Sequence, residues 1–255
     1  MSIDACASLV DRGDPDRFAA VMAAPGWARE LLFPLYAFNL EIARAPWVAQ
    51  EPLVAEMRLQ WWRDVVETAH NGAAKAHEVA QPLHGLIRDA GLPVAVLDRL
   101  IAARRWDCWR EPFDDLAALE TYIDDTGAGL MWLAARALGA PDGAEGAVRA
   151  YGWAAGLANF LRAVPELQAR GRHPLPKGTD IAALAGQGLD RLAQSRAGRK
   201  TLPKAAAPAL LPGWQTEAIL RIAASDPAAV TEGRLQLSEF HRRGRLLLQA
   251  FSGRW

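Results

Sequence analysis

Residues 156–176 read "GLANFLRAVPELQARGRHPLP". They close a longer stretch, residues 144–169, "AEGAVRAYGWAAGLANFLRAVPELQA", whose apolar residues recur with helical period. Pro165 is expected to kink this helix just after Arg162. Arg162 suits an anion, because a guanidinium can bind two oxygens at once. It can equally pair with Glu166, one turn on, or with Glu41 across a cavity. Beyond it, Arg170 and Arg172 make a basic segment that on its own reads as an exposed loop.

Outward from this stretch the chain reads almost entirely as helix, and no run shows sustained strand-like alternation. Residues 25–46 begin with Pro-Gly and are expected to stop or kink at Pro46. Residues 51–72 carry Pro52 just inside their start, apolar residues at Leu53, Val54, Met57, Trp61, Val65 and Val66, and Asn-Gly at their end. Residues 77–93 close on Gly91 and Pro93, and further helices are expected over 94–109 and 115–139. Residues 177–188 read as a loop, with shorter helices around 188–202 and 214–224 and an Ala/Pro-rich connector at 203–213. A last helix over 231–253 carries Arg242, Arg243 and Arg245. Its apolar Phe240, Leu247, Leu248 and Phe251 suit either a packed helix with a solvated basic edge or a face laid on a membrane or partner. The pattern predicts one all-α domain over residues 1–255, a bundle of roughly eight to ten helices around a central cavity, completed by the helices of 188–252.

Composition limits what this bundle does. The 255 residues are 51% hydrophobic and 23% charged with a formal net charge of zero, so no global field favours nucleic acid. Cys6 and Cys108 are too few and too far apart for a disulfide framework or a structural zinc site, which points to a reducing compartment. No secretory signal and no membrane-spanning apolar run are expected, so the chain reads as cytoplasmic. No nucleophile elbow, phosphate-binding glycine loop or dinucleotide fingerprint occurs, and His77 and His84 lie too far apart for a zinc helix. Ten tryptophans are rich. Trp61 and Trp62 point to different helix faces, one expected inside and the other bordering a groove.

Two helices carry a resemblance. "LYAFNLEIARAPW", residues 35–47, and "ANFLRAVPELQARGRHPLP", residues 158–176, resemble the two signature helices of the squalene/phytoene synthase family, with "RLQWWRDVVE" and residues 102–139 resembling the segments between them. The resemblance is strongest over 15–176 and implies an isoprenoid-synthase-type bundle. In that family each signature helix presents two aspartates at i and i+4. Facing pairs hold Mg²⁺, and the ions bind the diphosphate of a prenyl donor. Here the aspartate positions fall on Ala43, Arg44 and Trp47 in the first helix and on Ala163 and Leu167 in the second, so no catalytic residue, metal or other cofactor is expected. The resemblance marks Tyr36, Asn39, Glu41, Trp61, Trp62, Tyr122, Asn159, Arg162, Glu166, Arg170 and Arg172 as a substrate-binding remnant.

"AFNLEIARA", "RLQWWRDVVE" and "FLRAVP" resemble one branch of the family, an assembly factor for respiratory complex I that also lacks the aspartate pairs. That branch implies a non-catalytic interaction protein with an isoprenoid- or lipid-sized cavity. Its partners would be complex I subunits or assembly intermediates, and its place peripheral to the inner membrane. Two other readings stay open. One is a prenyltransferase condensing prenyl diphosphates, with Mg²⁺ held by Glu41, Glu166, Asp124 and Asp125; Asp107 is a further unassigned acid. The other is a lipid carrier.

Overall fold

The computed structural model describes residues 3–49, 51–109 and 111–255, and among these there is no strand. Fourteen α-helices follow one another: α1 (Ile3–Gly13), α2 (Pro15–Met22), α3 (Gly26–Val48), α4 (Pro52–Glu67), α5 (Ala80–Ala90), α6 (Val94–Ala103), α7 (Arg105–Cys108), α8 (Leu116–Ile123), α9 (Gly129–Ala137), α10 (Glu145–Ala169), α11 (Ile181–Ala197), α12 (Thr216–Ser225), α13 (Ala228–Thr231) and α14 (Glu239–Ser252). The all-α bundle is as expected, but several segments differ from their sequence reading. α3 runs through Pro46 to Val48, whereas α10 continues through Pro165 to Ala169, the end expected for it. Residues 115–139 form one rod in three pieces, α8 and α9 joined by a π-helical turn over Asp124–Ala128.

Three corrections fall in the last third. Residues 181–197, read in part as a loop, are helical because the Asp180 side chain caps the helix, accepting from Ala183 N–H at 3.0 Å. The connector at 203–213 is a 3₁₀-helix over Lys204–Gly213. The last helix begins only at Glu239, with Ser238 as its cap.

The buried apolar side chains form one continuous cluster from Cys6 to Trp255. α3, α9 and α10 run through its middle. α3 buries residues on nearly every face, Leu32, Phe33, Leu35, Tyr36, Phe38 and Ile42 among them. α4 departs from its reading: Leu53, Val54 and Met57 are exposed, while Ala55, Leu59 and Trp62 turn inward. His77 and His84, too far apart for a zinc helix, are both packed. His77 lies against the rings of Trp61 and Trp62, and His84 is buried with Nε2 3.0 Å from Gly72 O.

α10 meets the π turn and α9 backbone to backbone. A β-carbon on Gly127 would stand 2.8 Å from Gly156 Cα, and one on Gly152 would stand 2.8 Å from Ala128 Cα. Only glycine fits there. Gly186, inside α11, has nothing within 4 Å of the same atom.

At the other end of the fold Asp16 ties three elements together. Its Oδ2 accepts from Arg162 of α10 at 3.1 Å and from Gln215 at 2.9 Å, and its Oδ1 accepts from Arg242 of α14. Burial works to raise the Asp16 carboxyl, but the two arginines and Gln215 outweigh it and hold the pKa below the usual value. A depressed carboxylate stabilises the fold above its unfolded pKa, and that contribution is lost as pH falls through the folded pKa.

Two outcomes follow from these contacts. Gly127→Ala should destabilise the protein by about 1–3 kcal/mol through overpacking, whereas Gly186→Ala should be neutral or stabilising by up to about 1 kcal/mol; denaturant unfolding of both checks this. Asp16→Asn should lower stability at neutral pH. Its unfolding free energy should then fall less steeply than that of the parent below about pH 4, where an ordinary aspartate takes up its proton.

Candidate functional site

Between α3 and α10 lies a cavity of about 560 Å³. α3 turns Tyr36, Asn39, Ala43, Arg44 and Trp47 toward it, and α10 turns Gly152, Ala155, Gly156, Asn159, Phe160, Ala163, Glu166 and Leu167. The 3.6-residue period explains these sets, since each occupies one stripe of its helix. One end is buried, around Tyr36, Asn39, Leu130 and Met131; the other end opens at Arg44, Trp47, Glu166 and Arg170. Every degenerate position, Ala43, Arg44, Trp47, Ala163 and Leu167, lines this space.

A charged network stands on its wall. Tyr122 OH donates to Asp107 Oδ2 at 2.8 Å, and Arg104 donates to the Tyr122 oxygen at 2.8 Å while lying 3.4 Å from the same carboxylate. All three side chains are shielded from solvent. Burial pushes the Asp107 carboxyl above the usual range, against the opposing pull of Arg104 and of the Tyr122 hydrogen bond. Burial also raises the phenol of Tyr122, and it raises Tyr36 to about 12. Cys6 and Cys108 are unpaired, and burial raises both to about 11, so neither is a nucleophile at neutral pH.

The mouth is held by stacking. The guanidiniums of Arg170 and Arg172 lie over the Trp47 ring at 4.7 and 4.9 Å, and Arg172 also lies 5.3 Å from the Trp106 ring centre. Arg172 is neither an exposed loop residue nor a cavity residue. It is 6% exposed and donates to the carbonyls of Trp106, Asp107 and Trp109, fastening the segment after α10 to α7.

Of the residues marked as a remnant, Tyr36, Asn39, Tyr122, Asn159, Glu166 and Arg170 line the cavity. Glu41, Trp61, Trp62, Arg162 and Arg172 do not. Glu41 sits on a different face of α3 from Asn39 and Ala43, and no Glu41–Arg44 ion pair forms among the described residues. Trp62 is in the core, edge-on to Phe38 at 5.3 Å; Trp61 packs on it from outside, with Lys75 over its ring. Arg162 pairs internally, but with Asp16 rather than Glu166 or Glu41. Glu166 pairs with Arg170 at 2.5 Å. Arg17 and Arg104 also line the cavity, and nothing local in the sequence tells which way their side chains turn.

Mg²⁺ wants several oxygens in octahedral array. The cavity-lining carboxylates are Asp107 and Glu166, each already engaged by an arginine. Asp124 pairs with Arg149, Asp125 lies 3.4 Å from Arg99, and neither lines the cavity. Among the described residues no three His, Cys, Asp or Glu side chains cluster to hold a metal. The donor set does not fit the ion.

Residues 10–179, more than half of the chain, match the squalene/phytoene synthase family. Among curated proteins, the chain is 29% identical over 206 residues to "NADH dehydrogenase (ubiquinone) complex I, assembly factor 6 homolog" of Drosophila melanogaster, covering 76% of this chain and 60% of that one. It is 28% identical over 182 residues to assembly factor 6 of Homo sapiens, covering 71% and 54%. The chain thus spans little more than half the length of these relatives. Among solved structures, a dehydrosqualene synthase with bound ligand superposes with TM-score 0.82 at 16% identity, over 98% of this chain and 95% of that one. A squalene synthase from Alicyclobacillus acidocaldarius gives 0.70 at 19%, over 91% and 94%. At such identities these two share the fold.

Replacing Arg172 with Ala should destabilise the protein by about 3 kcal/mol or more, since a buried acceptor left unpaired costs about 1–3 kcal/mol. Arg170→Ala removes an exposed pair and should cost less than about 1 kcal/mol. Parallel denaturant titrations of the two variants test the contrast.

Proposed function

The chain belongs to the squalene/phytoene synthase family, and from that premise we propose that it works without the family's metal-dependent chemistry, as an assembly factor for respiratory complex I. One observation carries the reading: the positions where paired aspartates would hold metal are Ala43, Arg44, Trp47, Ala163 and Leu167, and they line the cavity as non-ligands. The names of the relatives supply the biological setting.

In this reading the work is done on the outside of the bundle. Trp47, Val48, Leu53, Val54, Met57 and Trp109 are exposed, gathered on the end of α3, the start of α4 and the end of α7. Glu56 ties the start of α4 to the end of α7, accepting from Trp109 Nε1 at 3.0 Å and from Arg105. Large apolar groups clustered at the surface suit a subunit or assembly intermediate. α14 supplies a second surface, for peripheral contact with the membrane. Its opposite side is fixed to the body by Leu246, Ala250 and the Gln249 hydrogen bond to Leu210 O. Phe240, Leu247, Leu248 and Phe251 therefore face outward. No helix among the described residues is long and apolar enough to cross a membrane.

Deleting the gene should lower assembled complex I on native gels and leave squalene and carotenoid levels unchanged. The purified protein, given farnesyl or geranylgeranyl diphosphate and Mg²⁺, should release no diphosphate. Steady diphosphate release would overturn this reading in favour of the prenyltransferase.

A further inference from the structure

We infer that α14 docks on an anionic phospholipid surface, lying in the plane of the bilayer with its phenylalanines and leucines at the acyl boundary and its arginines among the head-group phosphates. The inference rests on the reading above, in which α14 makes the peripheral membrane contact, and names the lipid chemistry and the residues that select it.

The first observation is the apolar face. Single exposed apolar side chains are ordinary in folded proteins, but a contiguous set of large ones is not. Phe251 is 92% exposed and Phe240 83%, and Leu247 and Leu248 are exposed beside them. Phe240, Gly244, Leu247 and Phe251 follow one another at helical spacing and make a single stripe, with Leu248 along its edge. No residue of α14 is fully buried, so the helix adds little to the core. Its 14 residues span about 21 Å. That is too short to cross a hydrocarbon layer about 30 Å thick, so the helix can only lie along it.

The second observation is that the helix is fixed. The Ser238 side chain caps its start, and Gly253 ends it in the left-handed conformation at φ 61°. Arg242 is tied to Asp16, and Gln249 donates to Leu210 O at 3.1 Å. Just beyond the helix Trp255 is buried, its Nε1 donating to Ser195 Oγ at 3.2 Å. The stripe is therefore presented at a set angle and needs no folding on contact.

The third observation is charge. The chain as a whole is neutral, yet residues 239–254 hold Arg242, Arg243, Arg245 and Arg254 against Glu239 alone. Glu239 pairs with Arg242 and Arg243, and Arg242 reaches on to Asp16. Among the described residues no ion pair takes up Arg245 or Arg254. Burial and the charges of Arg196 and Arg254 lower the pKa of Arg199, so this end of the helix is crowded with cations. By helical period Arg243 lies on one flank of the stripe and Arg245 on the other. Long cationic side chains on both flanks can lay their stems along acyl chains and reach phosphates with their guanidiniums. A protein partner would be matched by polar groups set within the patch to fix its register. The stripe has none, which suits a fluid surface.

Flotation of the whole chain with vesicles of phosphatidylcholine, alone or with about one third phosphatidylglycerol, tests this. The protein should bind the anionic vesicles saturably and the neutral ones about tenfold more weakly or not at all. High salt should weaken the anionic binding. Phe240→Ser combined with Phe251→Ser should weaken it about tenfold or more. Arg243→Gln combined with Arg245→Gln should remove most of the preference for anionic lipid. All four positions are exposed, so the melting temperature should hold in both variants. Met57→Ser, on the α4 surface, should leave vesicle binding unchanged. Equal binding to both vesicle types, binding to neither, indifference to both double variants, or an equal loss with Met57→Ser would overturn the inference. So would a dimer in solution that the double Phe→Ser variant dissociates, because a second copy would then cover this face. Loss of complex I on gene deletion without vesicle binding would sink the lipid contact alone. Diphosphate release would overturn the assembly reading and leave the lipid contact standing.

Discussion

At the contact between α10 and the π turn, a β-carbon on Gly127 would fall 2.8 Å from Gly156 Cα and 2.9 Å from Gly152 O. Backbones this close leave no side chain between them, so α10 is held against the rod of residues 116–137 along a strip of glycine. That strip also decides the cavity. Gly127, Gly152 and Gly156 are themselves cavity-lining, and Thr126 beside them turns its hydroxyl back to Tyr122 O at 2.6 Å. At this strip the wall is backbone and small residues, flanked by Ile123, Met131 and Phe160, and α3 projects its side chains across the space they leave.

What α3 and α10 project has changed in chemical character. Metal ions bridging two acidic helices would neutralise their charges and draw the helices together. In this chain the mouth is held by other forces. Trp47 stacks beneath Arg170 and Arg172, and Arg172 fastens the following segment to three carbonyls around α7. The remaining acids, Asp107 and Glu166, serve as partners for arginines. Stacking and ion pairing therefore hold the mouth of the cavity together.

The exposed surface tells a complementary story. Apolar side chains that helical periodicity would assign to a core, Leu53 and Met57 on α4 and Phe240 and Phe251 on α14, face water. Each is turned outward because the other side of its helix is anchored: by Leu59, Trp62 and the Glu56 contacts to Arg105 and Trp109 for α4, and by Leu246, Arg242 to Asp16 and Gln249 to Leu210 for α14. A solvent-facing apolar stripe on a fixed helix presents itself to a partner at low conformational cost.

The all-α architecture was legible in the sequence because helical period, proline starts and glycine stops are local signals. Gly91, for example, ends α5 in the left-handed conformation at φ 60°. The loss of the aspartate pairs was legible too, since it is a matter of residue identity at spaced positions on two helices. Less was legible where a local signal had two meanings. Asp180 at 177–188 was a helix cap hidden in a Gly-rich run, and Pro46 lies within a helix that continues past it. Side-chain partners were decided by tertiary structure alone. Arg162 finds Asp16, 146 residues away, rather than Glu166 one turn on, and Arg172 is buried rather than draped over the cavity. The reason is physical: a helix specifies which residues share a face, but only the packing of one helix against another decides which charge that face meets.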